Sequence, residues 1–261
     1  MNMNHLLSIS HSGLRGLQTQ LDLTAANIAN VNTVGYKKQD ASFQELLHNT
    51  NTADEVRIAN QATNQSLNRG LKVSNQSVNF IQGSLMNTTS PWDMAIEGEG
   101  FFGVRDATNQ LYLTRAGDFH RDAQGNLVTS TGMKVDVEAT TPQTQWPNGT
   151  AAVSSEGQVT IQTGGQSVAV GKIILYKPQN NESLKSVGTN LFQATPGQAL
   201  LQSTNQPEAF GRLHNNQLEN SSVNLAESMT DLIVTQRAYS MNLKALSTSD
   251  EMTGVINHFT D

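Results

Sequence analysis

The chain has 261 residues, a net charge of −6 and no cysteine, which excludes disulfides, thiolate metal sites and cysteine nucleophiles. Only 15 % of its residues are charged against 36 % apolar, so Asn, Gln, Ser, Thr and Gly carry much of an acidic surface that is a poor match for nucleic acid or anionic membrane. No stretch approaches the ~20 apolar residues of a membrane span, and MNMNHLLSISHSG has neither the positive start nor the apolar run of a cleavable signal.

The first predicted element is a helix over residues 8–30. Leu7, Leu14, Leu21 and Ile28 recur every seven residues, and Leu17 and Val31 fall three after Leu14 and Ile28. That spacing draws a heptad-like stripe along one helix face. Thr33 to Gly35 should end it, with Gly35 as the helix-ending residue. Ala25, Ala26 and Ala29 give a small-residue face near that end, and Asn27, Asn30 and Asn32 place amides where helix passes into connector.

From Tyr36 to Arg69 the pattern is weak and reads as an extended connector. Phe43, Leu46 and Leu47 allow one short helical turn, and residues 49–68 are dominated by Asn, Thr, Gln and Ala. From Gly70 short apolar runs with turn punctuation predict strands, at 71–73, 78–81, 94–96, 101–105, 111–114, 119–121, 126–129 and 133–137. Asp122-Ala-Gln-Gly-Asn126 reads as a hairpin turn with Gly125 free to take positive φ. Residues 139–150 hold two prolines and read as a loop. Strands resume at 151–153, 158–162, 167–170 and 172–176, and residues 177–216, with Pro178, Pro196 and Pro207, read as an irregular return.

The last element is a second helix. Leu225, Leu232, Tyr239 and Leu246 repeat at seven residues, Met229 and Leu243 supply the alternate position, and Gln236 and Asp250 break it. Asn224 and Glu227 form an N-cap and N3 pair. The fold class is therefore α+β and discontinuous. A coiled-coil-like module of the two ends (1–35 and 218–261) is joined through a connector (36–69) to an all-β domain (70–217) inserted between them. Neither helix can bury its seam alone. Periodicity leaves open whether the seams close in a hairpin, a dimer or a polymer.

Candidate chemistry is thin. Gly98-Glu-Gly-Phe-Phe-Gly103 spells GxGxxG, but a dinucleotide site needs a helix opening on the glycines, and here Phe101, Phe102 and Val104 continue as strand. Asp118, Asp122 and Asn126 crowd one hairpin at a spacing that fits no calcium loop. The six histidines are scattered without paired ligand spacing, and no GxSxG elbow is present. No catalytic, cofactor or metal residue is assigned.

Residue identity goes further than periodicity. AANIANVNTVGYK (25–37) and NSSVNLAESMTDLIVTQRAYSM (220–241) closely resemble the terminal signatures of the bacterial flagellar axial proteins, the rod and hook subunits. DMAIEGEGFFGV (93–104) and YLTRAGDFHRDAQGNLVTSTG (112–132) resemble that family's internal blocks, in the same order. The resemblance implies a structural, non-enzymatic subunit that assembles helically with itself and with neighbouring rod and hook subunits. It also implies export through the flagellar type III apparatus without a cleaved signal, to the basal body. Length and block order favour rod subunits of the distal type, with the proximal type and the usually longer hook subunits as alternatives. A different class, a secreted β-domain adhesin or enzyme dimerised by its end helices, would need a titratable cluster or aromatic groove that the sequence does not display. The resemblance assigns the seam residues Leu7, Leu14, Leu17, Leu21, Ile28, Leu225, Met229, Leu232, Tyr239, Leu243 and Leu246 to assembly. It carries over Ala26, Asn27, Asn30, Asn32, Gly35, Tyr36 and Arg237 as signature positions.

Overall fold

The computed structural model describes residues 3–48 and 67–258. Its two ends are helices and its middle is β-rich. Helix α1 (Met3–Ala29) and helix α2 (Leu225–His258) are the proline-free, heptad-patterned stretches. Between them run β1 (Gln39–His48), β2 (Leu67–Val78), β3 (Leu85–Asn87), β4 (Met94–Glu97), β5 (Phe101–Arg105), β6 (Leu111–Thr114), β7 (His120–Arg121), β8 (Leu127–Val128), β9 (Lys134–Val135) and β10 (Val137–Ala139). They continue as β11 (Thr150–Val153), β12 (Gln158–Thr163), β13 (Gln166–Ile173), β14 (Leu175–Pro178), β15 (Leu184–Gly188), β16 (Leu191–Ala194), β17 (Leu200–Gln202), β18 (Arg212–Asn215) and β19 (Gln217–Glu219).

These elements sort into two units. One contains α1, β1, most of β2 and α2; the other contains residues 30–38 and 78–223. In the first, β1 and β2 pair as a two-stranded sheet. In the second, a nine-stranded sheet has the order β15-β16-β6-β5-β9-β8-β7, with β14 pairing both β5 and β17. A four-stranded sheet follows the order β10-β13-β12-β11, and β18–β4 and β19–β3 form two short pairs.

Strand β5 shows why this sequence makes a two-sided sheet. Phe102 and Val104 join Ile161, Ile173 and Leu213 in one core, while Phe101, on the other face, joins Leu113, Tyr176, Leu184 and Phe192 in a second. The alternation is the period-2 pattern of a strand, and both faces are covered, so Phe101, Phe102 and Val104 are all nearly fully buried. Phe102 meets Phe119 edge-on at 5.0 Å between ring centroids, and Trp92 stacks on Trp146 at 6.2 Å.

Three sequence expectations need correction. Phe43 and its neighbours form no helical turn: residues 39–48 are strand β1, because their backbone finds a partner in β2. The connector also ends earlier than expected, since β2 already begins at Leu67, while residues 49–66 fall outside the described residues. The tract 177–216 is not irregular, for it holds β15 to β18. Its first hairpin pairs Gly188 with Leu191 across Thr189 and Asn190, which both take positive φ (46° and 61°). Two such residues make the I′-type reversal that suits strand twist. A β-branched threonine is a poor signal for it, so the sequence pattern missed the hairpin.

Candidate assembly surface

Helix α2 begins as its sequence indicates. The Asn224 side-chain carbonyl accepts from the backbone N–H groups of Ala226 (3.1 Å) and Glu227 (3.3 Å), satisfying donors that have no partner inside the helix. Downstream, the side of α2 turned inward mixes small polar residues with larger apolar ones. Among the described residues of α2, Ser228 and Thr235 are buried, and Leu232, Tyr239, Asn242 and Leu246 are half-buried along the same side. The Ser228 hydroxyl has no hydrogen-bond partner.

The large apolar side chains of α2 go elsewhere. Leu225, Met229, Ile233, Val234, Met241, Leu243, Met252 and Val255 are all exposed, Met241 and Met252 by about two thirds (65 % and 66 %). At 100° per residue these positions lie away from the Ser228–Thr235 line and cover much of the remaining circumference. Soluble monomers rarely expose so many large apolar side chains along one helix, and exposed apolar surface of this kind is typical of interaction sites.

The heptad residues are thus divided. Leu232, Tyr239 and Leu246 face inward, whereas Leu225, Met229 and Leu243 face solvent. On α1, Leu14, Leu17, Leu21 and Ile28 are half-buried; the deepest positions are Gly16, Leu23, Thr24 and Asn27. Leu7 belongs to α1, and its side chain falls outside the described residues. α2 comes close at a residue that periodicity does not flag: a Cβ at Gly13 would stand 3.0 Å from the Asn242 amide nitrogen, the end of a side chain that could shift by a few tenths of an ångström. Ile233, Val234, Met241, Met252 and Val255 also escaped the heptad search, because they belong to a second stripe outside it.

The N-terminal signature residues have defined jobs. Asn27 grips the start of β1 with both ends of its amide, donating to Gln39 O (2.8 Å) and accepting from Gln39 N (2.9 Å). Asn30 accepts from the Thr33 hydroxyl (3.0 Å), which shapes the turn after α1. Ala26 is half-buried, and Asn32 and Arg237 are exposed. Gly35 does not end the helix, which stops at Ala29. It takes φ of 65° in the following turn and donates to Glu219 O (2.7 Å). A Cβ there would meet the Arg115–Ala116 backbone at 2.5 Å.

Next to Gly35 the structure assembles a group that sequence reading did not anticipate. Lys37 and Glu219, with side chains of zero exposure, pair at 2.5 Å, and Arg115 reaches the other Glu219 oxygen at 3.3 Å. Gly83 N–H donates to Glu219 Oε1 (2.9 Å) and Lys37 to Ile81 O (2.8 Å). Desolvation pulls Lys37 below the usual lysine range, with Glu219 opposing it, and Arg115 is lowered for the same reason. Tyr36, beside them, is raised by burial. The only sequence hint was that Lys37 and Arg115 each sit inside a signature block.

Elsewhere the decoy motifs are structural. Gly98 and Gly100 take φ of 105° and 129° in the turn that leads into β5. The Asp122 carboxylate is held by the Asn126 backbone N–H (2.7 Å) and amide (2.9 Å), which lowers its pKa. Among the described residues no three His, Asp or Glu side chains converge as metal ligands. No helix among the described residues is long and apolar enough to cross a membrane.

Sequence comparison matches three stretches to three flagellar rod and hook protein families. Residues 7–37 match the flagella basal body rod protein family, 95–166 the flagellar hook protein FlgE/F/G D1 domain, and 214–258 the flagellar basal body rod FlgEFG protein C-terminal family. Flagellar basal-body rod protein FlgG of Agrobacterium fabrum is 36 % identical, over 96 % of this chain and 97 % of that protein. FlgG of Borreliella burgdorferi is 34 % identical over 98 % of each. Flagellar basal-body rod protein FlgF of Caulobacter vibrioides is 30 % identical over 96 % and 95 %.

Proposed function

Because the chain belongs to the flagellar basal-body rod protein family, we propose that it is a distal-rod subunit whose α1 and α2 pack helically against neighbouring copies. The observation that carries this reading is the exposed apolar strip of α2 from Leu225 to Val255. The most deeply buried of its described residues are Ser228 and Thr235, while most of its large apolar side chains stay uncovered within one chain. The strip gains about 25 cal/mol per Å² once covered. Repeated head-to-tail contacts that do not close a ring generate a helical filament, and the terminal helices then form a coiled-coil-like inner layer. Torque passes through contacts summed over many subunits, with no substrate turned over.

The same strip gives the subunit somewhere to dock on the next rod or hook subunit in the series. Export through the flagellar type III apparatus suits a cysteine-free chain of this family.

Met229→Asp and Val234→Asp test the reading, since each puts a charge where packing must desolvate it. Both variants should stay monomeric in sedimentation velocity at concentrations where the unmodified chain polymerises. Trp92 and Trp146 fluorescence, which reports only on the β unit, should be unchanged. Leu21→Asp and Leu232→Asp should also block assembly. Normal polymerisation by Met229→Asp and Val234→Asp would sink the reading.

A further inference from the structure

A cavity of about 560 Å³ opens in the β unit beside the turn that leads into β5. Its wall includes Phe101, Arg115, Glu99, Lys177 and Asn180. Arg115 is 5 % exposed, with its guanidinium 5.2 Å from the centre of the Phe101 ring. Its Nη2 donates to Gly98 O (2.7 Å), and Nη1 to Ile96 O (3.4 Å) and Glu219 (3.3 Å). Its Nε–H is buried without a partner.

The charge count is unbalanced. Lys37 and Arg115 are two buried cations against the single carboxylate of Glu219. An unmatched buried cation is costly unless an anion reaches it. The carboxylate at the cavity mouth, Glu99, is 71 % exposed and paired with Lys177, and its charge also acts on Arg115, so with the rim included three cations face two carboxylates. A buried guanidinium with an unused N–H, an ammonium at the rim and an open volume in the range of ligand pockets together make a built anion site.

We propose that this cavity is a socket for a carboxylate, and that in the assembled rod a glutamate or aspartate of a second copy of this chain fills it. The chain is acidic, with net charge −6, and its β unit presents Glu138, Glu156 and Glu208 in exposed positions. Socket and candidate plugs are therefore both carried by the β unit of one chain. The source of the carboxylate rests on the rod reading; the socket does not.

The test uses the full chain and sodium acetate as probe. Backbone amide shifts of Gly98, Gly100 and Phe101 are followed against acetate and against sodium chloride of equal ionic strength, and self-association is measured by sedimentation. Acetate, unlike chloride, should give saturable shifts. Glu99→Gln, which removes the competing rim carboxylate, should bind acetate about fivefold tighter, and Lys177→Gln about fivefold weaker. Self-association should change in the same order. Identical responses to chloride and acetate, or no change in either variant, would overturn the socket. Acetate binding that follows the variants while self-association does not would overturn the second copy as its occupant. A chain that never associates counts against the rod reading, and the acetate arm still decides the socket.

Discussion

In the β unit Phe102, Val104, Val159, Ile161 and Ile173 have essentially no exposed surface, while in the helical unit Met229, Ile233, Val234 and Met241 lie about half exposed or more, and Ser228 and Thr235 are buried instead. The first arrangement is that of a domain that holds itself together, with two cores on the faces of one sheet. The second is that of a half-finished core. Isolated helices are marginal in water and gain most of their stability from packing an apolar face, and α2 leaves most of its large apolar side chains exposed. The contrast separates a β unit whose large apolar side chains are covered from a helical unit many of whose large apolar side chains are not.

The largest effect expected from a single substitution lies in the β unit. Glu219→Gln preserves shape but leaves Lys37 and Arg115 buried without a counter-charge, and breaking a buried pair in this way costs about 3–5 kcal/mol. Tryptophan-detected unfolding should shift strongly toward lower denaturant. Adding Lys37→Met should recover part of the loss, because it removes one of the stranded cations. If Glu219→Gln left the tryptophan transition in place, the buried ionic group would not be what ties β19 into this unit. Gly35→Ala comes next. It forces a side chain into positive φ and against the Arg115–Ala116 backbone, for roughly 2–3 kcal/mol. A Gly35→Ala protein as stable as the parent would show that the close approach is not tight.

These two positions also mark how far the sequence could be read. The helices, the strands with clean alternation and the Asp122–Asn126 turn were legible because each signal is local. Strand β1 was not: its hydrogen-bond partner lies about 20 positions or more along the chain, and Phe43 stays exposed. The β15–β16 hairpin was missed because Thr189 is an unusual residue for positive φ. The heptad pattern located both helices but mixed inward Leu232, Tyr239 and Leu246 with outward Leu225, Met229 and Leu243. A stripe tells which residues share a face, and it is silent on whether a partner in the same chain covers that face. The buried ionic group joins positions 37, 115 and 219, a separation at which no spacing rule operates.

Two smaller substitutions sharpen the contrast from opposite sides. Ser228→Ala removes a buried hydroxyl that has no partner and improves helix propensity. It should stabilise the helical unit by about 1 kcal/mol, seen in helical circular dichroism with the tryptophan signal unmoved. Coupled movement of both signals would break the division into two units. Asp118→Asn should have the least effect and the opposite dependence on conditions. Desolvation, helped by Asp93 nearby, holds the Asp118 carboxyl above the ordinary aspartate range, against hydrogen bonds from its own backbone and Ser130. A carboxyl whose folded pKa is raised disfavours the fold once ionised, so its penalty develops as pH rises through the unfolded value and is complete above the folded one. Asp118→Asn should therefore raise the tryptophan-detected melting temperature slightly at pH 7. The gain should vanish below about pH 3.9, where the unfolded carboxyl is also protonated. An equal gain at both pH values would mean that packing, not ionisation, sets the cost at this position.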